Sequence, residues 1–158
     1  QKGEGSFLVP SDAAAARIHL TGYPLKTLYA NLEKLSAKSV TVVLEACFSG
    51  LSQGGSIIPS ASAIAVTPKT VRPPSKLTVI SAGASDQIAS WDVGQSQGLF
   101  TKHFASAMRG TADSNRDGKV SLGELKAYLD RNLTFDARRY YGRDQNAQIF
   151  TGGVALGP

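Results

Sequence analysis

Cys47, the only cysteine of the chain, stands where a run of apolar residues meets a small turn. Run and turn together read VTVVLEACFSG, residues 40–50. A thiol at the end of a strand can attack a substrate carbonyl, and backbone N–H groups freed by the turn at Ser49 and Gly50 can stabilise the resulting oxyanion. The alternative is a buried, unreactive side chain, since unpaired cysteine is among the most buried residue types.

The composition predicts a single compact domain that spans residues 1–158. Hydrophobic residues make up 42% and charged residues 18% of the chain, as is typical of a globular protein. A single cysteine excludes an internal disulfide framework and a metal site built from several cysteines. No apolar run approaches the roughly 18 residues that cross a bilayer, and no signal peptide is visible, so we expect no membrane span and favour the cytoplasm.

The net charge of +5 comes mostly from scattered lysine and arginine residues. The densest basic cluster interleaves arginine with tyrosine, and its members are Arg131, Arg138, Arg139, Tyr140, Tyr141 and Arg143. Such a cluster could contact nucleic acid. A solvated surface loop is the commoner origin of this pattern, and we therefore expect no nucleic-acid partner.

The apolar patterns predict strands that alternate with helices. Strands are expected at 7–9, at 39–47 with both faces buried, at 77–84, briefly at 86–92, and at 147–153 as a last edge strand. Helices are expected at 23–37, at 98–110 with Phe104 and Met108 buried, and at 121–133. Residues 50–76 form a long loop rich in Gly, Ser and Pro, and such loops are usually functional or cleavable.

This alternation predicts an α/β fold with a mostly parallel sheet and helices on both of its faces. Ligands of such sheets bind beyond the carboxyl ends of the strands. Cys47 falls at one of these ends, which is the position that an active site would use.

Three segments in this order, VVLEACFSG, LTVISAGASDQIASWD and GLFTKHF, resemble the caspase-like cysteine peptidases, in particular bacterial metacaspase and paracaspase relatives. The usual cysteine motif of that family is Asp-x-Cys-x-Ser-Gly, and the chain has Glu45-Ala46-Cys47-Phe48-Ser49-Gly50. FLVPSDA resembles the segment that follows the catalytic His-Gly. The resemblance covers nearly the whole chain and implies a caspase-hemoglobinase-like sheet of mostly parallel strands flanked by helices, without its N-terminal strands and His loop.

The resemblance implies that Cys47 is the nucleophile and that a histidine is its base. In caspases this histidine lies roughly 50 residues before the cysteine, which here falls just ahead of Gln1. His19 is too close to Cys47 in sequence, and His103 lies in a predicted helix. Because the chain begins with Gln rather than Met, we expect a processed or excised product whose partner is an N-terminal fragment carrying the histidine. This chain alone is then expected to be inactive or nearly so.

The resemblance also implies a substrate preference. Caspases hold an aspartate at P1, the residue before the cut bond, with the arginine of a Ser-Trp-Arg segment, whereas this chain has Ser90-Trp91-Asp92. Relatives carry an acid two residues before the cysteine, here Glu45. Two carboxylates would attract lysine or arginine and repel aspartate, so we predict cleavage of polypeptides after basic residues. Candidate self-processing sites in the long loop are Lys69, Arg72 and Lys76.

Both acids also have a purely structural interpretation, which the residues leave open. Glu45 could be a salt-bridged strand residue, and Asp92 could be an ordinary loop carboxylate. Glu45 carries one more methylene than the usual aspartate, which changes its reach and not its charge.

Residues 113–124, DSNRDGKVSLGE, match the calcium-loop pattern D-x-[DN]-x-[DN]-G-x₅-E. The ligands would be side-chain oxygens of Asp113, Asn115, Asp117 and Glu124 together with the backbone carbonyl of Lys119, and Gly118 would make the turn. The same residues allow a structural interpretation, because Ser121 and Glu124 form a capping-box pattern at a helix start. Calcium is thus one of two open interpretations, and no organic cofactor is expected.

Three functions follow, in decreasing order of preference. The first is a caspase-like cysteine endopeptidase with basic P1 specificity. The second is a catalytically inactive caspase-like module that binds peptides or partner proteins. The third is a calcium-binding interaction domain.

Overall fold

The computed structural model describes residues 6–10, 12–13, 17–46, 51–52, 55–56, 73–84, 87–94, 97–152 and 154–156. In chain order the elements are β1 (Phe7–Leu8), α1 (Ile18–Thr21), β2 (Tyr23–Pro24), α2 (Leu25–Glu33), β3 (Val40–Leu44), β4 (Leu51–Ser52), β5 (Gly55–Ser56), β6 (Leu77–Ser81), α3 (Leu99–Ser106), a π-helical turn (Ala107–Thr111), α4 (Leu122–Tyr141), β7 (Gln148–Thr151) and β8 (Val154–Ala155). The predicted α/β class is confirmed.

The central sheet is mixed, with the strand order β3-β6-β7-β8. β3 and β6 are parallel, so that Leu44 lies opposite Ser81. β6 and β7 are antiparallel, as are β7 and β8. After β6 the chain forms α3 and α4. These helices return it to the carboxyl end of β6, where Gln148 of β7 pairs with Ser81. The expectation of parallel pairing therefore holds only for β3 and β6 among the described strands of this sheet, and β7 lies inside the sheet and not at its edge.

Helices pack on both faces of this sheet, as predicted. On one face α2 packs against β3 and β6, and the buried residues there are Leu25, Tyr29, Leu77 and Val79. On the other face α3 and α4 cover β6 and β7 through a core that includes Ile80, Leu99, Phe100, Leu125, Leu129, Leu133 and Ile149. The four-residue spacing of the α4 leucines keeps them on one side of the helix.

Met108 is 54% exposed, although it was expected in the core. Ala107, at 0% exposure, continues the buried helical spacing of Phe100 and His103, which leaves Met108 outside this face. The helix is interrupted two residues after Met108, at Gly110, whose φ is +104°. Phe104 packs against the core from a partly buried position and stacks on Phe100 with 5.6 Å between ring centroids.

β3 is buried on one face only, contrary to the expectation for its apolar sequence. Val40, Val42 and Leu44 pack towards α2, whereas Val43 is 41% exposed. Its neighbour in the register, Ile80, is buried at 1%, because it belongs to the core formed with α3 and α4, which includes no described residue of β3. β3 is thus the outer strand of the described sheet. None of the helices in the described ranges is long and apolar enough to cross a membrane.

Candidate active-site region

The predicted nucleophile Cys47 lies outside the described residues, as do Phe48, Ser49 and Gly50. The described chain ends at Ala46 on this side, immediately after Glu45 leaves the carboxyl end of β3. Glu45 is therefore the predicted site residue nearest to Cys47 in sequence whose surroundings the structure describes.

The Glu45 carboxylate binds the N-terminus of α3. Its Oε1 accepts hydrogen bonds from the backbone N–H groups of Phe100 at 3.2 Å and Thr101 at 3.4 Å, and its Oε2 accepts one from the Thr101 hydroxyl. N–H groups in the first turn of a helix have no partner within the helix, and a negative charge there is also favoured by the helix dipole. Glu45 thus caps α3 from a neighbouring strand while its side chain stays exposed.

Gly98 provides the space for this contact. Its backbone angles, φ −70° and ψ 149°, are open to any residue. A Cβ atom at this position would lie 1.8 to 2.2 Å from the carboxylate atoms of Glu45. A larger residue here would therefore displace the Glu45 carboxylate, although the backbone conformation itself would accept it.

The segment Ser90–Asp92 is tied to the same helix start. Trp91 forms an antiparallel bridge with Gly98. This isolated bridge is the only strand-like pairing at residues 87–92, so the structure does not show the short strand expected at 86–92. The Asp92 N–H donates to the Gln97 carbonyl at 2.9 Å, and the Leu99 N–H donates to the Ser90 carbonyl at 2.7 Å. The fold thereby brings Glu45 and Ser90–Asp92, which are far apart in sequence, to the first turn of α3.

Gln145, which sequence reasoning missed, anchors this segment from inside the protein. It is fully buried; its Oε1 accepts the Ser90 N–H at 2.8 Å and its Nε2 donates to the Ala82 carbonyl at 2.9 Å. The hydroxyl of Thr134 donates to the Gln145 carbonyl at 3.0 Å. The side chain thus joins the end of β6 to the segment, and no local pattern in the sequence signals that role.

Two further residues from the end of α4 hold the segment. The Tyr141 hydroxyl donates to the Trp91 carbonyl at 2.7 Å, and Arg143 Nη2 donates to the Ser90 hydroxyl at 3.1 Å. The Arg143 guanidinium also lies 4.9 Å from the centre of the Tyr141 ring. The Trp91 side chain remains 50% exposed above this support.

Asp92 is buried and already paired with a cation. It is 5% exposed, and Lys102 Nζ of α3 lies 2.8 Å from its Oδ1. The hydrogen bond from Lys102 holds the pKa of Asp92 below its usual value, and the same bond raises the pKa of Lys102. The charge of Asp92 is therefore balanced within the protein, whereas no ion pair among the described residues includes Glu45.

The two histidines lie in different settings. His19 is exposed in α1. His103 is buried in α3 at 8% exposure, and its Nε2 lies 3.0 Å from Asp136 Oδ2 of α4. Burial lowers the pKa of His103 below its usual value, against the opposing influence of Asp136.

The loop predicted to bind calcium is closed by its own hydrogen bonds. The Asp113 carboxylate accepts the N–H groups of Asp117 at 3.2 Å and Gly118 at 2.9 Å. Asn115 Oδ1 accepts the Asp117 N–H at 2.9 Å, and Asp117 Oδ1 accepts the Lys119 N–H at 2.8 Å. Gly118 has φ +80°, a left-handed conformation that favours glycine.

Glu124 forms the predicted capping box with Ser121. Its Oε2 accepts the Ser121 N–H at 2.9 Å, and the Glu124 N–H donates to the Ser121 hydroxyl at 3.2 Å. Its Oε1 accepts the N–H groups of Ser114 and Asn115 at 3.0 and 3.3 Å. Hydrogen bonds from Ser121 and then Ser114 lower the pKa of Glu124 to about 2.

The loop therefore has calcium-type donors whose oxygens also accept hydrogen bonds within the loop. Its carboxylate oxygens point at backbone amides, and within the described residues no three His, Cys, Asp or Glu side chains are placed to hold a metal. The capping-box interpretation of Glu124 is confirmed, and calcium binding stays a prediction.

The remaining predicted positions are distributed elsewhere. Lys76 Nζ donates to the backbone carbonyls of Glu33, at 3.2 Å, and Leu35 at the end of α2. Lys69 and Arg72 lie outside the described residues. In the basic cluster, Arg138 pairs with Asp144, and the Arg139 guanidinium lies 5.6 Å from the centre of the Tyr140 ring.

Comparisons of the chain with protein-family models, with curated proteins and with solved structures each found no match. The functional argument accordingly depends on the residues and the geometry described above.

Proposed function

We propose that this protein is the nucleophile-bearing part of a caspase-like cysteine endopeptidase that cleaves after lysine or arginine. The observation that carries the proposal is the convergence of Glu45 and Ser90–Asp92 on the first turn of α3, at the carboxyl end of the parallel pair β3 and β6. This end of a parallel pair is where α/β proteins bind ligands. Cys47 follows Glu45 by two residues in the sequence and lies outside the described residues.

In the proposed reaction, the Cys47 sulfur attacks the carbonyl carbon of the scissile peptide bond. A histidine supplied by an N-terminal segment takes the thiol proton and passes it to the leaving amine as the C–N bond breaks. Water then hydrolyses the thioacyl intermediate, which releases the carboxylic acid and restores the thiol. β3 is the outer strand of the described sheet, and its free edge supports the addition of a further strand that carries the histidine.

Glu45 is the proposed acid for substrate recognition. Its side chain is exposed and lacks a cation partner among the described ion pairs, so a basic P1 side chain would share this carboxylate with the start of α3. Asp92 would contribute its charge only where a substrate displaces Lys102. A P1 aspartate would be repelled by Glu45.

The proposal is tested with peptide acyloxymethyl ketones on protein expressed with the residues encoded upstream of Gln1. Because Cys47 is the only cysteine of residues 1–158, an adduct seen by intact mass and lost in Cys47→Ala is assigned to this residue. We expect labelling by P1 Arg and P1 Lys probes, much slower labelling by the matched P1 Asp probe, and none in Cys47→Ala. Faster labelling by the P1 Asp probe would overturn the specificity. No labelling by any of the probes would favour the non-catalytic binding module.

A calcium-binding interaction domain is the third candidate, after the inactive caspase-like module, and is supported by the donor types at Asp113, Asn115, Asp117 and Glu124. Binding would require Glu124 to release its hydrogen bonds to Ser114 and Ser121. Calorimetric titration decides the matter: heat at millimolar Ca²⁺ that disappears in Asp113→Asn would support a site, and the absence of heat would remove it.

A further inference from the structure

Four charged or titratable side chains form a continuous chain of contacts beside the Ser90–Asp92 segment. Asp92 belongs to that segment, Lys102 and His103 are neighbours on α3, and Asp136 lies on α4. The order of contacts is Asp92, Lys102, Asp136 and His103. This series of contacts connects the buried His103 to the segment that the proposed function uses for substrate binding.

Lys102 is shared between two carboxylates. Its Nζ lies 2.8 Å from Asp92 Oδ1 and 3.8 Å from Asp136 Oδ2. The lysine side chain is 37% exposed, whereas those of Asp92 and Asp136 are 4% and 17% exposed. The shorter contact is thus to the more buried acid, and the ammonium has a second acceptor within about an ångström of movement.

Asp136 in turn is shared between Lys102 and His103. His103 Nε2 lies 3.0 Å from the same oxygen, Oδ2, that attracts Lys102. The other titratable groups that face this cluster are Tyr128, whose ring centre is 6.3 Å from that of His103, and Tyr140, which acts on Lys102. Asp136 is therefore the point at which a charge on His103 competes with the charge on Lys102.

We propose that His103, Asp136 and Lys102 form a proton-operated switch that controls how the Ser90–Asp92 segment is held. With His103 neutral, Asp136 attracts Lys102, which links Asp92 to α4 as well as to α3. With His103 protonated, Asp136 pairs with the imidazolium, and the new positive charge repels Lys102. Asp92 then keeps its link to α3 and loses the link to α4 that Lys102 provides.

Trp91 supplies a built-in reporter for this switch. It is the only tryptophan of the chain, it adjoins Asp92, and its side chain is 50% exposed. The chain has two histidines, so a transition caused by histidine can be assigned by two substitutions. We expect the Trp91 emission to change sigmoidally as one proton binds, with a midpoint below 6.5, because burial opposes the charge on His103.

The matched pair of variants is His103→Gln and His19→Gln. We expect the first to remove the transition and the second, at the exposed histidine, to leave it unchanged. A transition that survives in His103→Gln or disappears in His19→Gln would overturn the switch. So would a parent protein in which the His103 resonance titrates but the Trp91 emission does not change with pH.

Lys102→Met provides a variant that leaves His103 and the buried carboxylates in place. Here we expect the His103 imidazole resonances to titrate still, while the change in Trp91 emission falls at least fivefold. Lys126→Met, which breaks the Lys126–Asp130 pair elsewhere on α4, is the control and should retain the full change. An undiminished emission change in Lys102→Met would contradict transmission through Lys102. None of these measurements needs peptidase activity, so a failure here is separate from a failure of the proposed function.

Discussion

Glu45 and Glu124 both cap a helix, but they reach it from very different distances along the chain. Glu124 lies in the first turn of α4 and closes a capping box with Ser121, three residues away. Glu45 caps α3 from the end of β3, with its amide partners at Phe100 and Thr101. The physics is the same in both cases, since a carboxylate satisfies N–H groups that the helix leaves unpaired.

The difference lies in what each contact holds together. The hydrogen bonds of Glu124 stay within residues 114–124, so they organise a loop and the start of one helix. Those of Glu45 connect the central sheet to α3 and, through Gly98, to Trp91. Breaking a local cap should fray one helix end, whereas breaking the remote contacts should loosen the region proposed to bind substrate.

Among the substitutions around Glu45 and Ser90–Asp92, Gln145→Leu should lower the free energy of unfolding the most. Gln145→Leu leaves the buried Ser90 N–H and Ala82 carbonyl without partners, which should lower the free energy of unfolding by about 3 kcal/mol. Chemical denaturation monitored by circular dichroism measures this loss. Gln148→Leu is the control, because the half-buried Gln148 bonds only the nearby Asn146 carbonyl through its amide, and it should cost less than about 1 kcal/mol. Equal costs would show that Gln145 does not anchor the segment.

Substitutions at Gly98 and Glu45 should have non-additive effects on the free energy of unfolding. Gly98→Ala pushes the carboxylate off α3, and Glu45→Ala removes it, so each should cost about 1 kcal/mol in the free energy of unfolding. The double variant should cost about as much as either single one, which a double-mutant cycle measures as coupling. Full additivity would argue against the cap.

A second glycine supplies the contrast between the two regions. Gly123 lies in the first turn of α4, and a Cβ there would meet only the Ser121 hydroxyl oxygen, at 4.0 Å. Gly123→Ala should therefore stabilise the protein by up to about 1 kcal/mol, because alanine is the better helix former. If Gly123→Ala destabilised the protein as much as Gly98→Ala, the space available for a Cβ atom would not explain the difference between the two glycines.

Glu124 should give the smallest effect, and one that depends on pH. Its pKa of about 2 in the folded protein lies below the usual 4.5, because Ser121 and Ser114 donate hydrogen bonds to the charged form. The unfolded chain therefore binds the proton first as the pH falls, so the stability that Glu124 contributes is complete above pH 4.5 and lost between about 4.5 and 2. The difference between the parent and Glu124→Gln in thermal unfolding should shrink over that range. A difference that stays constant with pH would contradict the assignment.

Much of the fold could be predicted from short-range pattern. The alternation of apolar residues identified β6, α2 and α4, and the Ser121–Glu124 spacing identified the start of α4. The position of Met108 could not be predicted, because Ala107 and Met108 are apolar neighbours and only packing decides which of the two faces the core. The direction of β7 depends on how α3 and α4 return the chain to the sheet, which no single segment specifies.

The candidate site, like the fold, has features that the sequence predicts and features that it does not. The sequence alone places Cys47 after a strand, Glu45 two residues before it, and a capping box at Ser121, because each of these depends on neighbours along the chain. Only the tertiary structure decided that Glu45 binds α3, that Lys102 neutralises Asp92, and that Gln145 supports Ser90. The physical reason is that polar groups such as the Ser90 N–H and the first N–H groups of α3 need partners, and for Gln145–Ser90 and Glu45–Phe100 the partner lies 55 residues away, so packing makes the choice.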